Sequence, residues 1–397
     1  MKPLALSAFT ASSCLGRGLD PTLAALAAGR TGLKPCAFET VTLETFVGEV
    51  AGVDEERLPA GFEEFECRNN RLAYLGLRQD GFDEAVRAAA GRLGRARIGV
   101  WLGTSTSGIL ETELAYRRRA PGSGALPGDF RYRGAHNTFS VAAFVQRALR
   151  LEGPAAVISS ACSSSAKVFA SARRAIEAGM VDAAVVGGVD SLCLTTLYGF
   201  HSLQLVARNP CRPFDAEREG LSIGEAAAFA LLEPADRKLS APAVLLLGTG
   251  ESSDAWHMSA PHPEGRGAGA AMRQALAAAS LDAAQIDYIN FHGTGTASND
   301  AAEARAVAAV LGTKVPGSST KGATGHTLGA AGALEAVICA LALRQGLLPG
   351  GVNTISLDPQ LKVNYLRESR HARLDAVMSN SFGFGGSNCS LVLGKAG

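Results

Sequence analysis

The sequence predicts an α/β fold in which strands and helices alternate along the chain. Short apolar, β-branched runs typical of buried strands are followed repeatedly by longer Ala- and Arg-rich stretches with helical periodicity. Several strand-like runs end in glycine directly before the next helical stretch. Such alternation is typical of mostly parallel sheets with helices on both faces, in which ligands bind at the carboxyl ends of the strands.

Individual elements follow from these patterns in chain order. Strands are predicted at 96–103, 153–161, 181–191, 241–251, 286–293 and 374–386. Helices are predicted at 82–94, 165–179, 267–281, 299–312 and 329–346. The stretch 104–140 has Pro and Gly clusters and little periodicity, so we expect it to leave the sheet as a lid or a subunit contact. The charged segment PADRKLSAP predicts a junction near 236–242, between one half at 1–240 and another at 241–397.

Length and composition exclude several classes of protein. A chain of 397 residues, 47% of them hydrophobic, can bury a large core. Lys+Arg 38 against Asp+Glu 37 give no indication of binding to nucleic acid or to a membrane surface. The N-terminus does not resemble a signal peptide, and we expect no membrane helix because no run of about 18 apolar residues stands out. The eight cysteines form no CxxC pair and indicate reduced thiols of a cytoplasmic protein.

Cys162 lies where a predicted strand turns sharply into a predicted helix, in VISSACSSSAK. A thiol at a helix N-terminus is near free backbone N–H groups and the positive end of the helix dipole. Both lower the pKa of the thiol and favour the thiolate. A backbone N–H at such a turn can also donate to an oxyanion. The alternative is a buried, inert cysteine, which is common among free thiols.

Two of the seven histidines lie in Gly- and Thr-rich turns after predicted strands. His292 is in FHGTGTASND, and His326 is in STKGATGHTLGAAGALEA. An isolated histidine is most often a core or capping residue, but flanking glycines leave room for a ligand to approach the imidazole. A thiol with imidazole partners is a known arrangement for covalent acyl chemistry, so these turns and Cys162 together predict an acyl-transfer site.

Six sequence blocks resemble β-ketoacyl-acyl carrier protein synthases in order and approximate spacing. They are SSACSSS, CRPFDAEREGLSIGEAAAFALLE, SSDAWHMSAP, FHGTGTASND, STKGATGHTLGAAGALEA and NSFGFGGSN. The resemblance extends from about residue 96 to the C-terminus and is weaker before it. It implies a thiolase fold, with two similar α/β halves in αβαβα layers. It also implies a homodimer, or a heterodimer with a ketosynthase-like subunit.

The resemblance also implies roles for the residues of the site. Cys162 would be the nucleophile, and His292 and His326 would stabilise an enolate oxygen. Lys321 would organise the two histidines, and Glu335 on the following helix is the expected carboxylate partner of Lys321. A solvated surface position is the alternative for this lysine.

Further residues are assigned by the same resemblance. The N–H groups of Cys162 and Phe384 would form the oxyanion hole, and Phe382 and Phe384 would gate the acyl pocket. Thr106 would lie near that pocket. The residues expected to bind the pantetheine arm are Thr294, Thr296 and Ser259. A dinucleotide-binding loop at 383–386 is a poor alternative, because too little chain follows it for a βαβ unit.

The implied reaction is a decarboxylative condensation. An acyl group brought by an acyl carrier protein would move to Cys162, and a malonyl-carrier would lose CO2 and attack it. No metal and no organic cofactor would be needed, because decarboxylation supplies the carbanion. Arg68, Arg71 and the run 117–119 are candidates for docking the acidic carrier, although a charge run is usually a solvated face.

Three alternatives stay open at this stage. A coenzyme-A-primed, thiolase-like enzyme would pair the cysteine with His and Asn, whereas the second site here is His326. A chain-length-factor-type partner subunit would lack the nucleophile, whereas Cys162 is present. A cysteine hydrolase would need only one histidine. Departures from the family pattern, such as Ser-Ser-Ser after Cys162 and Ala at 226 and 228, leave the acyl substrate undecided between fatty-acid elongation and a specialised pathway such as aryl polyene biosynthesis.

Overall fold

The computed structural model describes residues 2–235 and 243–396. Its main β-sheet has 12 strands, which come from both halves of the chain. The predicted junction at 236–242 lies outside the described residues. The strands are β1 (Leu4–Ser13), β2 (Gly16–Arg17), β3 (Lys34–Pro35), β4 (Phe46–Gly48), β5 (Ile98–Gly103), β6 (Ala155–Ile158), β7 (Ala183–Asp190), β8 (Ile223–Gly224), β9 (Ala226–Pro234), β10 (Val244–Ser253), β11 (Tyr288–Asn290), β12 (Pro316–Ser318), β13 (Leu347–Leu348), β14 (Asn364–Tyr365), β15 (Arg370–His371), β16 (Ala376–Gly383) and β17 (Ser387–Lys395).

Each helix and strand predicted from the sequence has a counterpart, with ends displaced by a few residues. The helices are α1 (Leu19–Ala27), α2 (Arg68–Leu77), α3 (Phe82–Leu93), α4 (Ile109–Arg117), α5 (Ser140–Ala148), α6 (Ser164–Glu177), α7 (Leu194–Ser202), α8 (Arg266–Ala279), α9 (Ala297–Val310), α10 (Lys321–Thr324) and α11 (Ala331–Gln345). The stretch 104–140 leaves the sheet as expected, but it contains α4 and a π-helical turn at Tyr132–His136.

The main sheet has the order β14-β12-β11-β16-β17-β10-β1-β9-β7-β5-β6, with β2 paired to β1. Strands β5, β6 and β7 are parallel, and so are β11, β12 and β16. The prediction of a mostly parallel sheet is wrong for the centre, where β9, β1, β10 and β17 are antiparallel to their neighbours. One reason is local: β17 follows β16 after only three residues, and such a short connection joins antiparallel strands.

Helices α6 and α11 form a middle layer between the two halves of the sheet. Helix α6 packs on β5 and β7, and α11 contacts α6 and strands from both halves. The outer layers are α2, α3 and α5 over the N-terminal half and α8 and α9 over the C-terminal half. The order of layers is therefore αβαβα, as the thiolase fold requires.

Helix α11 is buried over most of its length. All residues from Ala331 to Leu343 are buried. The segment Leu328–Gln345 has a mean hydropathy of 1.4 and is long and apolar enough, by length and composition, to cross a membrane, although it contains Glu335 and Arg344. The burial of 89% of this segment inside the protein is typical of a core helix, which is apolar on most of its surface.

The layers bring four chain segments together at the carboxyl ends of strands. The turn after β6 carries Cys162, the loop after β11 carries His292, and the loop after β12 carries His326. The short connection between β16 and β17 carries Phe384. Residues 164 positions apart in sequence therefore meet at one place in the structure.

Candidate active site

Cys162 lies in a strained turn that neighbouring serines stabilise. Ala161 has a φ of +53°, in the left-handed region that a residue with a Cβ rarely adopts. The Ser164 hydroxyl donates to the carbonyl of Ala161 at 2.5 Å and accepts the N–H of Ser160 at 2.9 Å. The Ser163 hydroxyl donates to the carbonyl of Ser160 at 3.0 Å. The hydroxyls of Ser163 and Ser164 therefore hold the nucleophile turn.

The sulfur and the two imidazoles share one buried cavity. Cys162 Sγ lies 3.0 Å from His326 Nε2, and the rings of His292 and His326 are 5.3 Å apart and nearly perpendicular. One nitrogen of each ring and the sulfur all lie within 4.8 Å of one another. The exposed fractions of Cys162, His292 and His326 are 5%, 2% and 1%. The structure thus brings the three predicted groups together, out of bulk water.

The backbone at His292 is anchored by Glu303, which sequence reasoning missed. The N–H groups of His292 and Gly293 each donate to the Glu303 carboxylate at 2.8 Å, and Asn380 Nδ2 donates to it at 3.1 Å. Burial raises the pKa of Glu303 to about 7. A signal was present in the sequence, because Asp300 and Glu303 are the acidic residues of the Ala-rich helix α9, and both are fully buried.

Lys321 is buried between His292 and Glu335. Its ammonium donates to the carbonyl oxygen of His292 at 2.6 Å and forms an ion pair with Glu335, while Nζ lies 3.4 Å from His292 Nδ1. Burial raises the pKa of Glu335 to about 7, although Lys321 lowers it. The partner expected for Lys321 is therefore in place, and the alternative of a solvated surface lysine is excluded.

A Lys321→Met substitution is expected to destabilise the fold by about 3–5 kcal/mol, because the carboxyl of Glu335 stays buried without its cation. The double variant Lys321→Met/Glu335→Leu is expected to recover most of this loss without recovering activity. Urea denaturation at neutral pH measures the stability of the single and the double variant. An unchanged denaturation midpoint for the single variant would show that the pair contributes nothing to stability.

The partners of the two rings determine which nitrogen carries the proton. His326 Nδ1 accepts the N–H of Leu328 at 3.3 Å, which leaves the proton on Nε2, facing Cys162. His292 Nδ1 faces the Lys321 ammonium, which likewise places the proton on Nε2. Burial and the positive charge of Lys321 lower the pKa of both imidazoles, so both are neutral. The site therefore offers two neutral N–H donors.

This protonation pattern is unsuited to metal ligation, although the spacing of the three groups would admit a metal ion. A metal-bound imidazole uses the lone pair of one nitrogen and donates the N–H of the other nitrogen to an acceptor. Here Nδ1 of each ring faces a donor instead, namely the Leu328 N–H or the Lys321 ammonium. The arrangement fits hydrogen-bond donation to a substrate oxygen.

The thiol of Cys162 is less acidic than the sequence suggested. Burial raises its pKa to about 11, although Lys321 and the Phe384 N–H lower it, and the negative charges of Asp190 and Glu335 add to the rise. The expectation of a lowered pKa is therefore wrong for the free enzyme. The physical reason is that desolvation of the thiolate outweighs the favourable field at the start of α6.

Alkylation of Cys162 by iodoacetamide is accordingly expected to accelerate about tenfold per pH unit from pH 8 to 10, because only the thiolate reacts. Rates measured by quenching and peptide mass spectrometry test this. Cys36 is the internal comparison, because it is half-buried and lies outside the cavity. A rate for Cys162 that is already constant below pH 8 would contradict the raised pKa.

Phe384 and Phe382 flank the cavity on the short connection after β16. The Phe384 N–H donates toward the Cys162 thiol, and the Phe384 ring packs on Phe200 with centroids 5.4 Å apart. The Phe382 ring lies 5.9 Å from His292. Gly385 and Gly386 follow with φ values of +75° and +72°, so glycine is required there. The N–H groups of Cys162 and Phe384 thus come from neighbouring turns, as an oxyanion hole requires.

The predicted pantetheine-binding residues line the same cavity. Thr294, Thr296 and Ser259 all contribute to its wall, beside Asn299 and Pro261. The Thr294 and Thr296 hydroxyls are 2.8 Å apart. Paired hydroxyls at the cavity wall can exchange this bond for hydrogen bonds to an amide-bearing ligand.

Thr106 is not brought into this cavity. Its side chain is fully buried, and its hydroxyl and backbone N–H each donate to Asp190 Oδ1 at 2.9 Å. Thr106 therefore has a structural role at Asp190, and its place near an acyl pocket stays a prediction. The hydroxyl prefers the buried carboxylate, because an unpaired carboxylate inside the protein is costly.

Arg68 is not available to a carrier protein. Its side chain is 1% exposed and contacts the carboxylates of Glu225, Glu49 and Asp54. The prediction that Arg68 docks a carrier protein is therefore wrong, because three carboxylates hold its guanidinium inside the fold. Arg71 is 18% exposed and pairs with Glu66. Among the run 117–119, Arg118 pairs with exposed Asp129, so carrier docking there stays a prediction.

Comparison with known proteins places this geometry in a family. Residues 70–238 match the model described as "Beta-ketoacyl synthase, N-terminal domain", and residues 243–354 match "Beta-ketoacyl synthase, C-terminal domain". The chain is 31% identical to 3-oxoacyl-[acyl-carrier-protein] synthase 2 of Coxiella burnetii over 400 residues, 96% of each protein. It is 39% identical to the synthase of the same name from Rhizobium meliloti over 259 residues, or 62% of this chain and 61% of that relative.

Solved structures are similar over the whole chain. A chain of the complex described as "Ketosynthase (ApeO) in Complex with its Chain Length Factor (ApeC) from Xenorhabdus doucetiae" has a TM-score of 0.89 at 40% identity, covering 100% of this chain and 98% of that one. A chain of "The ishigamide ketosynthase/chain length factor" has a TM-score of 0.90 at 27% identity, with full coverage of both. With its thiolase fold and its Cys-His-His cavity, this chain belongs to the β-ketoacyl synthase family.

Proposed function

We propose that this chain is an acyltransferase that condenses an acyl group held on Cys162 with malonyl-acyl carrier protein, as a 3-oxoacyl-[acyl-carrier-protein] synthase. The observation that carries the proposal is the meeting of Cys162 Sγ with two neutral imidazole N–H donors within 4.8 Å. A thiol accepts the acyl group, and two donors suit the single oxygen of a malonyl thioester that becomes an enolate oxygen.

Acylation of Cys162 is the first half of the reaction. The sulfur attacks the thioester carbonyl of an acyl-carrier, and the N–H groups of Cys162 and Phe384 bind the oxyanion of the tetrahedral intermediate. The carbonyl–sulfur bond to the carrier breaks, and the thiol proton of Cys162 passes to the leaving carrier thiolate. The products are acyl-Cys162 and free carrier thiol.

Condensation is the second half. The malonyl thioester oxygen accepts the Nε2–H groups of His292 and His326, and the carbon–carbon bond to the carboxylate breaks to release CO2. The resulting carbanion attacks the acyl-Cys162 carbonyl, and the carbon–sulfur bond breaks. Cys162 leaves as a thiolate and takes up one proton, which its raised pKa favours. The product is a β-ketoacyl-carrier two carbons longer.

The chain's own groups supply each of these steps, so the mechanism calls for no metal and no organic cofactor. The free state of all eight cysteines agrees with a reducing compartment, and we propose a cytoplasmic location. The expected substrates are carried on the pantetheine arm of an acyl carrier protein, which would enter past Ser259 and the two threonines.

We further propose that the working enzyme is a heterodimer with a ketosynthase-like, chain-length-factor-type subunit. Strand β6 ends the sheet among the described residues, with all four of its residues half-buried and β5 as its neighbour. Tyr132 and Phe139 are exposed close by, in and beside the segments that pack on α5. An open apolar edge strand and exposed aromatics are typical of a subunit interface.

Similar structures support a chain-length-factor-type partner. Two solved complexes that resemble this chain at 40% and 27% identity are described as a ketosynthase with a chain length factor. Retention of Cys162, His292 and His326 favours the catalytic subunit for this chain and not the chain-length-factor-type alternative. A specialised pathway, such as aryl polyene biosynthesis, stays a prediction for the acyl group.

Co-expression tests the partner. The chain is expected to form a 1:1 complex with a chain-length-factor-type protein of the same organism and to condense acyl- and malonyl-carrier at least about tenfold faster in that complex than alone. Native mass spectrometry and a CO2-release assay measure the two effects. A stable dimer of this chain alone, with full activity and no response to the second protein, would establish a homodimer instead.

A further inference from the structure

Asp190 is a fully buried carboxylate at the end of β7 that takes no part in the steps above. Its Oδ1 accepts hydrogen bonds from the Thr104 hydroxyl at 2.6 Å, from the Ser105 N–H at 2.8 Å, and from Thr106. Its Oδ2 accepts the N–H of Gly329 at 2.6 Å. Oδ2 also accepts the Ser105 N–H, at 3.0 Å. The carboxylate therefore joins the loop after β5 to the segment that follows His326, and Oδ2 alone bonds that segment.

The segment held by Oδ2 sets the environment of His326. Leu328, between His326 and Gly329, has a φ of +53°, which a leucine adopts only when its surroundings enforce it. In this conformation the Leu328 N–H points at His326 Nδ1, 3.3 Å away. The bond from Gly329 to Asp190 thus fixes Gly329, which directly follows the strained Leu328. The N–H of Leu328 in turn keeps Nδ1 of His326 unprotonated.

Close packing makes this anchor specific. A Cβ at Gly329 would lie 2.8 Å from Asp190 Oδ2 and 2.7 Å from Ser105 Oγ, so only glycine lets the segment reach the carboxylate. On the other side, the His326 N–H donates to the carbonyl of Ser222 at 2.7 Å, and Gly224 donates to the carbonyl of His326 at 3.0 Å. The backbone of His326 is therefore clamped independently, and Asp190 controls the ring through Leu328 alone.

We propose that Asp190 is a positioning residue that fixes the tautomer of His326, so that Nε2 carries the proton that faces Cys162 and the substrate. The inference rests on the proposed role of His326 as a donor to the enolate oxygen. Without the anchor, Leu328 relaxes out of the left-handed region and withdraws its N–H. The neutral ring can then carry its proton on Nδ1, and Nε2 becomes an acceptor that cannot stabilise the enolate.

Other charges face the same ring and thiol, and none of them replaces this function. Lys321 and Glu335 lie on the side of His292, where they form their own ion pair. His292 is neutral and contacts His326 edge-on. Neither group contacts His326 Nδ1, which has the Leu328 N–H as its partner.

The test is an Asp190→Asn variant. The NH2 group of the new amide replaces one carboxylate oxygen, so it faces a backbone N–H donor and one of the two anchoring bonds is lost. Ring-15N-labelled histidine shows the protonated nitrogen by NMR, with the His326 signal assigned from a His326→Asn spectrum. We expect wild type to carry the proton on Nε2 and Asp190→Asn to show a large Nδ1–H population. The kcat for decarboxylation of malonyl-carrier is expected to fall about 10- to 100-fold, with little change in KM. This fall is smaller than the loss of about 10²–10³-fold that follows complete removal of one oxyanion donor.

Thr104→Val is the matched control. It removes one hydrogen bond to Oδ1 of the same carboxylate and leaves the Gly329 bond to Oδ2 intact. We expect a similar loss of thermal stability to that of Asp190→Asn, with the wild-type tautomer. An equal change of tautomer in Thr104→Val would reduce Asp190 to a general structural role and overturn the proposal.

Gly329→Ala tests the same link from the other end and serves where Asp190→Asn does not fold. The added methyl separates Gly329 from Asp190, so we expect the same Nδ1–H signal. Retention of the Nε2–H tautomer in a folded variant of either kind overturns the inference. A wild-type enzyme that does not decarboxylate malonyl-carrier would overturn the proposed function instead, so the two failures are distinguishable.

Discussion

A Cys162→Ser variant is expected to lose acyl transfer and condensation by at least about 1,000-fold, the largest effect of any single substitution in this chain. The hydroxyl is far less acidic than the thiol and less nucleophilic. The site offers it no general base, because Nε2 of the facing His326 carries a proton. Transfer of a radiolabelled acyl group from the carrier protein to the enzyme measures the first step, and release of β-ketoacyl-carrier measures the whole reaction.

Cys36→Ser is the matched control for this experiment. Cys36 is a half-buried thiol outside the cavity, so its replacement is expected to leave both rates within about twofold of wild type, as is usual for a substitution away from a site. Condensation by Cys162→Ser at a rate near that of Cys36→Ser would remove the thiol of Cys162 from the mechanism.

Replacement of His292 by Ala is expected to have the second-largest effect, and on one half of the reaction only. Loss of one of two donors to the enolate oxygen should lower malonyl decarboxylation by about 10²–10³-fold. Self-acylation should stay within about threefold, because the N–H groups of Cys162 and Phe384 stabilise that transition state. Release of CO2 from malonyl-carrier measures decarboxylation, and mass analysis of the acyl-enzyme measures self-acylation.

His371→Ala is the control, since His371 is an exposed residue of β15. Wild-type rates are expected for both halves of the reaction. Equal loss of acyl transfer and decarboxylation in His292→Ala would show that the division of work between the oxyanion hole and the histidines is wrong.

The sequence alone predicted the residues that local chemistry marks. Cys162 and the two histidine turns stand at strand ends beside glycine or small hydroxyl residues, and strand ends of an α/β fold converge. Lys321 and Glu335 are 14 positions apart in the sequence. Lys321 lies before α11 and Glu335 lies within α11, so their side chains meet beside the site. Similarity to a family supplied the roles, and the fold brought the residues together.

What the sequence did not show depends on burial and on distant pairing. Arg68 is in a polar stretch that reads as surface, but Glu225, 157 positions away, holds it inside the protein. The raised pKa of Cys162 follows from desolvation by both halves, which no local pattern reports. Glu303 and Asp190 each hold backbone N–H groups from distant parts of the chain, so neither stands out in a motif. The antiparallel centre of the sheet likewise arises because β1 pairs with strands more than 200 residues away.

Intact mass of the protein after incubation with an acyl-carrier, followed by peptide mapping, tests the central claim most directly. We predict a single added acyl group on the peptide that contains Cys162. Addition of malonyl-carrier should remove it, with release of CO2 and formation of a carrier-bound β-ketoacyl product. An acyl group on any other residue, or a Cys162 adduct that malonyl-carrier leaves untouched, would contradict the account.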